Sequence, residues 1–231
     1  MTAVGSLGWL AVTGRPDIAY AHSRVAQHMA LPTEAAWVAV TRILKYLKGT
    51  SKLSLFAPCE QDSGNKDSNW ALYTDPDHGG NDEPQNKLRS QCGFIAMYND
   101  APVLWGSKVS TVSAHANLDE AHVDLSSAAS EIYAAATSTQ EFMHLQYMCE
   151  EMNVKFPKPF KLQLDNTSAE MFIKDTVSKT RLKHIDKRLE WVKMLRNREI
   201  MIPVHVGTSE NLAGIFTKIL TRPTFERLRN H

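Results

Sequence analysis

Residues 70–75 read WALYTD, and their reading sets the fold. Ala71, Tyr73 and Asp75 alternate with Trp70, Leu72 and Thr74, the period of a β-strand whose successive side chains point to opposite faces. The strand ends on an acid, and Lys161 to Asp165 (KLQLD) repeats that pattern. Between them, Cys92 to Tyr98 and Val103 to Lys108 flank Asn99-Asp100, two residues that tolerate positive φ, so a β-hairpin is expected. A long helix is predicted from about Ser126 to Glu150, with Ile132, Ala135, Phe142, Leu145 and Met148 apolar. After Asn166 come a short helix, then an amphipathic one carrying Leu182, Ile185, Leu189, Val192 and Leu195. A last strand over Ile200 to Val206 and a helix from Ser209 close the chain. Pro203 cannot donate a ladder hydrogen bond, which puts that strand at a sheet edge. Upstream, Ile18, His22, Val25 and Met29 predict a helix after Arg15-Pro16-Asp17. A second helix should start at the N-cap Thr33, bear Trp37, Val40, Ile43, Leu44 and Leu47, and end at Gly49 in a left-handed conformation. The pattern is α/β with a mixed sheet, preceded by a helical hairpin.

The 231 residues, 43% hydrophobic and 22% charged, suffice for one good-sized core or a domain with an appendage. Residues 58–69 turn polar and small, and mark the boundary between a segment over 1–57 and a domain over 66–231. No apolar run approaches the ~20 residues needed to cross a bilayer, and no secretory leader is evident, so an intracellular protein, cytoplasmic or nuclear, with no membrane partner is expected. Cys59, Cys92 and Cys149 are odd in number and widely spaced, which supports neither a disulfide framework nor a zinc cluster, and they read as reduced thiols. The net charge of +1 excludes nothing, but residues 179–198 hold Lys179, Arg181, Lys183, Lys187, Arg188, Lys193, Arg196 and Arg198 against Asp186 and Glu190. Such a stretch serves either as a solvated helix face or as a phosphate track.

Asp75 and Asp165 lie at the carboxyl ends of predicted strands, where function sits in open α/β sheets. Glu131 projects from the alanine-rich helix, with Ala128 and Ala135 about one turn away. Carboxylates brought together repel unless a cation lies between them, and hard oxygen ligands suit magnesium or manganese. Three unrelated surface acids are the alternative on these residues alone.

The ordered set of strings carries more. GSLGWLAVTGRPDIAYAHSRVAQHM (5–29) and TEAAWVAVTRILKYLKGT (33–50) resemble the segment joining reverse transcriptase to ribonuclease H in copia-type LTR retrotransposon Pol polyproteins. YTDPDHGG, LRSQCGF, APVLWGSK, LSSAASEIYAA, LDNTSA, KTRLKHID and NLAGIFTK follow in that family's order. The resemblance implies a ribonuclease H-like fold with a five-stranded sheet, over 66–231, behind a helical connection segment over 1–57. It implies Asp75, Glu131 and Asp165 as catalytic metal ligands, holding two Mg2+ or Mn2+ ions. It implies endonucleolytic cleavage of RNA in an RNA–DNA hybrid read by backbone shape and 2′-hydroxyls. Asn166, Lys183, His184, Lys187 and Arg188 are the nucleic-acid-binding candidates, and the remainder of a reverse transcriptase is a partner. No paired-aspartate polymerase motif is present.

Four departures stand out. Gly214 in NLAGIFTK occupies the place of the family's fourth acid, with Glu210, four residues earlier in the expected helix, as a compensating ligand. Residues 113–123, with His115, Asp119, Glu120 and His122, are an insertion without enforced ligand spacing. Ala129 replaces an additional glutamate, and Gly14 interrupts the link into Arg15-Pro16-Asp17. His205 reads as structural. A domain that binds nucleic acid without cutting it, or that only packs in a polymerase, is the alternative left by Gly214.

Overall fold

The computed structural model describes residues 2–57, 70–77, 89–113, 127–154, 156, 158–175 and 186–231. The insertion after Ser113, the 58–69 boundary, Lys183 and His184 lie outside the described residues.

Three helices lead: α1 (Thr2–Thr13), α2 (Ala19–Ala26) and α3 (Glu34–Gly49). Then come β1 (Trp70–Asp77), β2 (Arg89–Tyr98), β3 (Ala101–Ser113), α4 (Ser127–Glu151), β4 (Phe160–Leu164), α5 (Thr167–Ile173), α6 (Asp186–Asn197), β5 (Met201–His205) and α7 (Arg222–Arg229). One five-stranded sheet has the order β3-β2-β1-β4-β5. β1, β2 and β3 are antiparallel neighbours, whereas β4 runs parallel to β1 and β5 parallel to β4. Asn99 and Asp100 have φ of 47° and 65°, the left-handed pair that a two-residue hairpin turn requires. β5 is an edge strand, and Pro203 lies in it.

Period two sorts each central strand between two cores. Trp70, Leu72, Phe94, Ala96, Leu162 and Leu164 face α4, α5 and α6, packing on Ile132, Phe142, Ile173, Leu189 and Val192. Trp70 stacks on Phe156 at 4.5 Å, and Phe142 meets Phe160 at 4.4 Å, so aromatic rings fill one end of this layer. Ile95, Met97, Tyr73 and Trp105 instead meet Leu7, Ile18, Val25, Val40, Ile43, Leu212 and Phe216. The leading helices therefore share a core with the sheet. Polar ties reinforce it: Trp105 Nε1 donates to the Ala11 carbonyl at 2.6 Å, and Gln91 Nε2 to Ser23 Oγ at 3.0 Å. Asp17, buried, accepts from Arg15 and from Tyr46, and Arg229 of α7 donates to the Tyr46 hydroxyl.

Thr33 caps α3 as expected, accepting from the Ala36 amide at 3.2 Å. Two expectations are corrected, and one helix is added. Gly49 ends α3 without a left-handed φ, because Thr50 is the cap and its hydroxyl folds back on the Tyr46 carbonyl. α1 had no sequence signal: Leu7 and Ala11 are buried while Trp9 and Val12 are 67% and 74% exposed, so apolar residues ring the helix and mark no stripe. The helix expected from Ser209 is a 3-10 turn over Leu212–Phe216 followed by α7. Asn211 starts that turn, donating through Nδ2 to the Thr74 carbonyl and accepting through Oδ1 from the Ala213 amide. Among the described residues no helix is long and apolar enough to cross a membrane.

Candidate metal centre

β1 and β4 are parallel neighbours in the register Tyr73 to Gln163. Two residues further along each chain stand Asp75 and Asp165, so the pairing itself delivers both acids to one end of the sheet. α4 packs across β1 and adds Glu131. One carboxylate oxygen from each of the three lies within 4.8 Å of the others.

Asp75 is 2% and Glu131 5% exposed, and Asp165 is half-buried. Asp75 Oδ2 accepts from the Thr217 hydroxyl, and Oδ1 from Lys218 Nζ at 3.4 Å. Burial raises the Asp75 carboxyl above the usual range, opposed by Lys218 and Thr217. Burial foremost, then the charges of Asp165 and Asp75, push Glu131 up to about 10. Glu131 Oε2 is buried without a hydrogen-bond partner among the described residues. A buried carboxylate oxygen left unpaired is costly, and a divalent cation between the three acids would satisfy it. The donor set therefore fits a hard cation.

A pH effect follows for the cation-free protein. Glu131 keeps its proton in the fold up to about 10, whereas the unfolded chain releases it near the ordinary 4.5. This group's contribution is intact below pH 4.5 and is lost as pH rises towards 10, by up to ~1.4 kcal/mol per pH unit. Chelator-treated protein is expected to melt at falling temperature across that window. Glu131→Gln should flatten the dependence, and an equal slope in both proteins would assign it elsewhere.

The 3-10 turn reaches Asp75 because Gly93, paired with Asp75 across β1 and β2, carries no side chain. A Cβ there would stand 2.6 Å from Thr217 Cγ2, 2.7 Å from Phe216 Cβ and 2.9 Å from the Ala213 carbonyl oxygen. Asn211, Thr217 and Lys218 are thus site residues that sequence reasoning passed over, although they lie in the NLAGIFTK string that drew attention to Gly214. A Cβ on Gly214 would lie 3.5 Å from Lys218 Cε and 4.0 Å from Nζ, so the fourth acid's place faces the lysine. Glu210 is corrected: it is exposed, precedes the turn and stands outside the acid cluster. The shared helix face invoked for it does not form, because Asn211 caps a turn of different period.

Other candidates fall elsewhere. Asn166 Oδ1 caps α5, accepting from the Ala169 amide at 3.1 Å. Lys187 and Arg188 are exposed on α6, with the Arg188 guanidinium 4.5 Å above the Tyr133 ring. Lys193 and Arg196 leave the basic stretch: both pair with Asp175, at 2.5 and 2.8 Å, and lock α6 to the end of α5.

The strand order and its flanking helices define an α/β protein with a mixed five-stranded sheet and an acidic cluster able to hold a cation. No family model matches the chain. It is 30% identical over 225 residues to the retrovirus-related Pol polyprotein from transposon TNT 1-94 of Nicotiana tabacum, covering 97% of this chain and 15% of that one. It is 31% identical over 223 residues to the corresponding polyprotein from transposon RE1 of Arabidopsis thaliana, covering 96% and 14%. These relatives, at about 30% identity over nearly the whole of this chain, are copia-type retrovirus-related Pol polyproteins, of whose length the chain spans about one seventh. Among solved structures, the N-terminal ribonuclease H domain of a Mycobacterium tuberculosis protein covers 71% of this chain and 98% of its own at 8% identity and a TM-score of 0.45. A compost-derived ribonuclease H1 in complex with an RNA/DNA hybrid covers 62% of this chain and 88% of its own at 13% identity and a TM-score of 0.37.

Proposed function

We propose that this chain is the ribonuclease H part of a retrotransposon polymerase and hydrolyses the RNA strand of an RNA–DNA hybrid. The observation that supports the reading best is the convergence of Asp75, Glu131 and Asp165 around an unpaired buried oxygen. Asp75, Glu131 and Asp165 would hold Mg2+ or Mn2+, which supplies an acidified water and charge neutralisation at the scissile phosphate. Thr217 and Lys218 fix the Asp75 carboxylate, and Asn211 fixes the turn that carries them. Residues 1–57 would be the connection segment, built into the core on one sheet face, and 66–231 the nuclease domain. A polymerase body would be its partner in a longer protein.

Gly214 favours a second reading, a domain that holds hybrid and cuts it slowly or not at all. Purified protein incubated with a labelled hybrid, in magnesium and then in manganese, separates the two: ion-dependent shortening of the RNA strand supports nuclease function. Salt-sensitive binding with an intact RNA strand in both ions supports the second.

The nucleic-acid contacts proposed are Asn166, Lys183, His184, Lys187 and Arg188. Cationic side chains release condensed counterions when they meet phosphates, so hybrid affinity should fall with salt. Replacing Lys183, Lys187 and Arg188 by alanine is expected to flatten the slope of log affinity against log salt by up to ~1 per lost contact, alike for every sequence. Fluorescence anisotropy at graded salt reads this, and an unchanged slope returns α6 to a solvated face.

A further inference from the structure

Among the described residues, Lys218 is the cation that the chain itself supplies to this site. Its ammonium stands 3.4 Å from Asp75 Oδ1, and its charge acts on Glu131 as well as Asp75. It also fills the space beside Gly214, where a Cβ would come within 4.0 Å of Nζ. The side chain is 36% exposed, so it is open to a ligand at the surface while its base is anchored through Thr217 and the buried turn. Asp75 is thereby shared: Oδ1 is engaged by a positive charge before any ion arrives, on the side where Gly214 supplies no carboxylate to compete for it.

We propose that the Lys218 ammonium takes the second cation position of this centre, so that the site accepts one divalent ion and meets the substrate's phosphodiester through a lysine N–H donor. The inference rests on the nuclease reading for its substrate and on geometry for its cation. An ammonium carries three donors on a flexible stem, suited to a non-bridging phosphate oxygen. At short range it also repels a divalent ion bound to the same carboxylate. One side chain thus accounts for a three-acid site that keeps a cation where a fourth acid and a second ion would otherwise stand.

The test counts ions on the whole chain without substrate, by calorimetric titration with Mn2+ and by the resonance signal of bound manganese. The parent is expected to take one ion. Lys218→Gln, neutral and of similar length, should take two ions, the first about fivefold tighter, because a like charge has been removed from Asp75. Lys218→Arg, which keeps the charge, should still take one. Two ions on the parent, or Lys218→Gln matching the parent in count and affinity, would overturn the assignment. Circular dichroism confirms that each variant is folded. With hybrid present and Mn2+ saturating for each protein, Lys218→Gln should cut about tenfold more slowly than the parent, and Lys218→Arg should recover most of that loss. Cutting unchanged in Lys218→Gln overturns the phosphate contact. A parent that takes one ion and cuts nothing overturns the nuclease reading alone, since the ion count is read without substrate.

Discussion

Asp75→Asn and Asp165→Asn are each expected to lower hybrid cleavage by on the order of 1000-fold or more, because each removes a charged ligand aimed at the ion that polarises the scissile phosphate. Asparagine keeps the shape and, at Asp75, an oxygen that can still accept from Thr217. The loss is one of charge and not of packing. The same substitutions should leave chelator-treated protein as stable as the parent or slightly more so, since Asp75 is 2% exposed and burying its charge near that of Asp165 is unfavourable without a cation. A cleavage time course and a thermal melt in chelator measure both effects. Cutting that survives either substitution would mean that the centre lies elsewhere, and a large fall in melting temperature would make the carboxylates structural.

The sheet and the acid positions were legible in the sequence for physical reasons. Alternation in WALYTD and KLQLD, and a hairpin turn at Asn99-Asp100, are local signals that tertiary packing reinforces. The parallel pairing of β1 with β4 then brings together acids 90 residues apart, 165 minus 75, from a register that alternation alone does not state. What escaped was of another kind. α1 is apolar around its circumference, so periodicity is silent there. The turn over Leu212–Phe216 is set by the Asn211 hydrogen bonds to β1 and by the bare backbone of Gly93, both long-range. Without that turn a helical reading from Ser209 is the natural one, and it put Glu210 on a helix face shared with Gly214 that the turn does not form. The basic stretch was legible as charge but not as partners: Asp175, two residues after α5, removes Lys193 and Arg196 from the nucleic-acid account.

Gly214→Asp is expected to raise magnesium-dependent hybrid cleavage at least about tenfold, equivalent to ~1.4 kcal/mol of barrier. The turn holds position 214 against the site, and a Cβ there meets Lys218 Cε at 3.5 Å, an ordinary contact, so the substitution needs no rearrangement of backbone. The new carboxylate would stand within ion-pair reach of Nζ and would draw the ammonium from Asp75 Oδ1, opening that oxygen to a cation while Oδ2 keeps its bond from Thr217 and a fourth acid adds its charge. The gain should be larger in magnesium than in manganese, because magnesium gives up its waters reluctantly and depends more on ligand number and geometry. Gly214→Ala is the control: it removes the entropic cost of glycine in a turn, worth roughly 0.5 to 1 kcal/mol in a helix, and should raise the melting temperature with no gain in cleavage. Combining Gly214→Asp with Lys218→Gln separates the two contributions, since the pair should be non-additive if the carboxylate acts by redirecting the lysine and additive if it acts only as a ligand. If the parent cuts well in magnesium and Gly214→Asp adds nothing, the missing acid does not limit this centre, and three carboxylates with one lysine suffice for the chemistry.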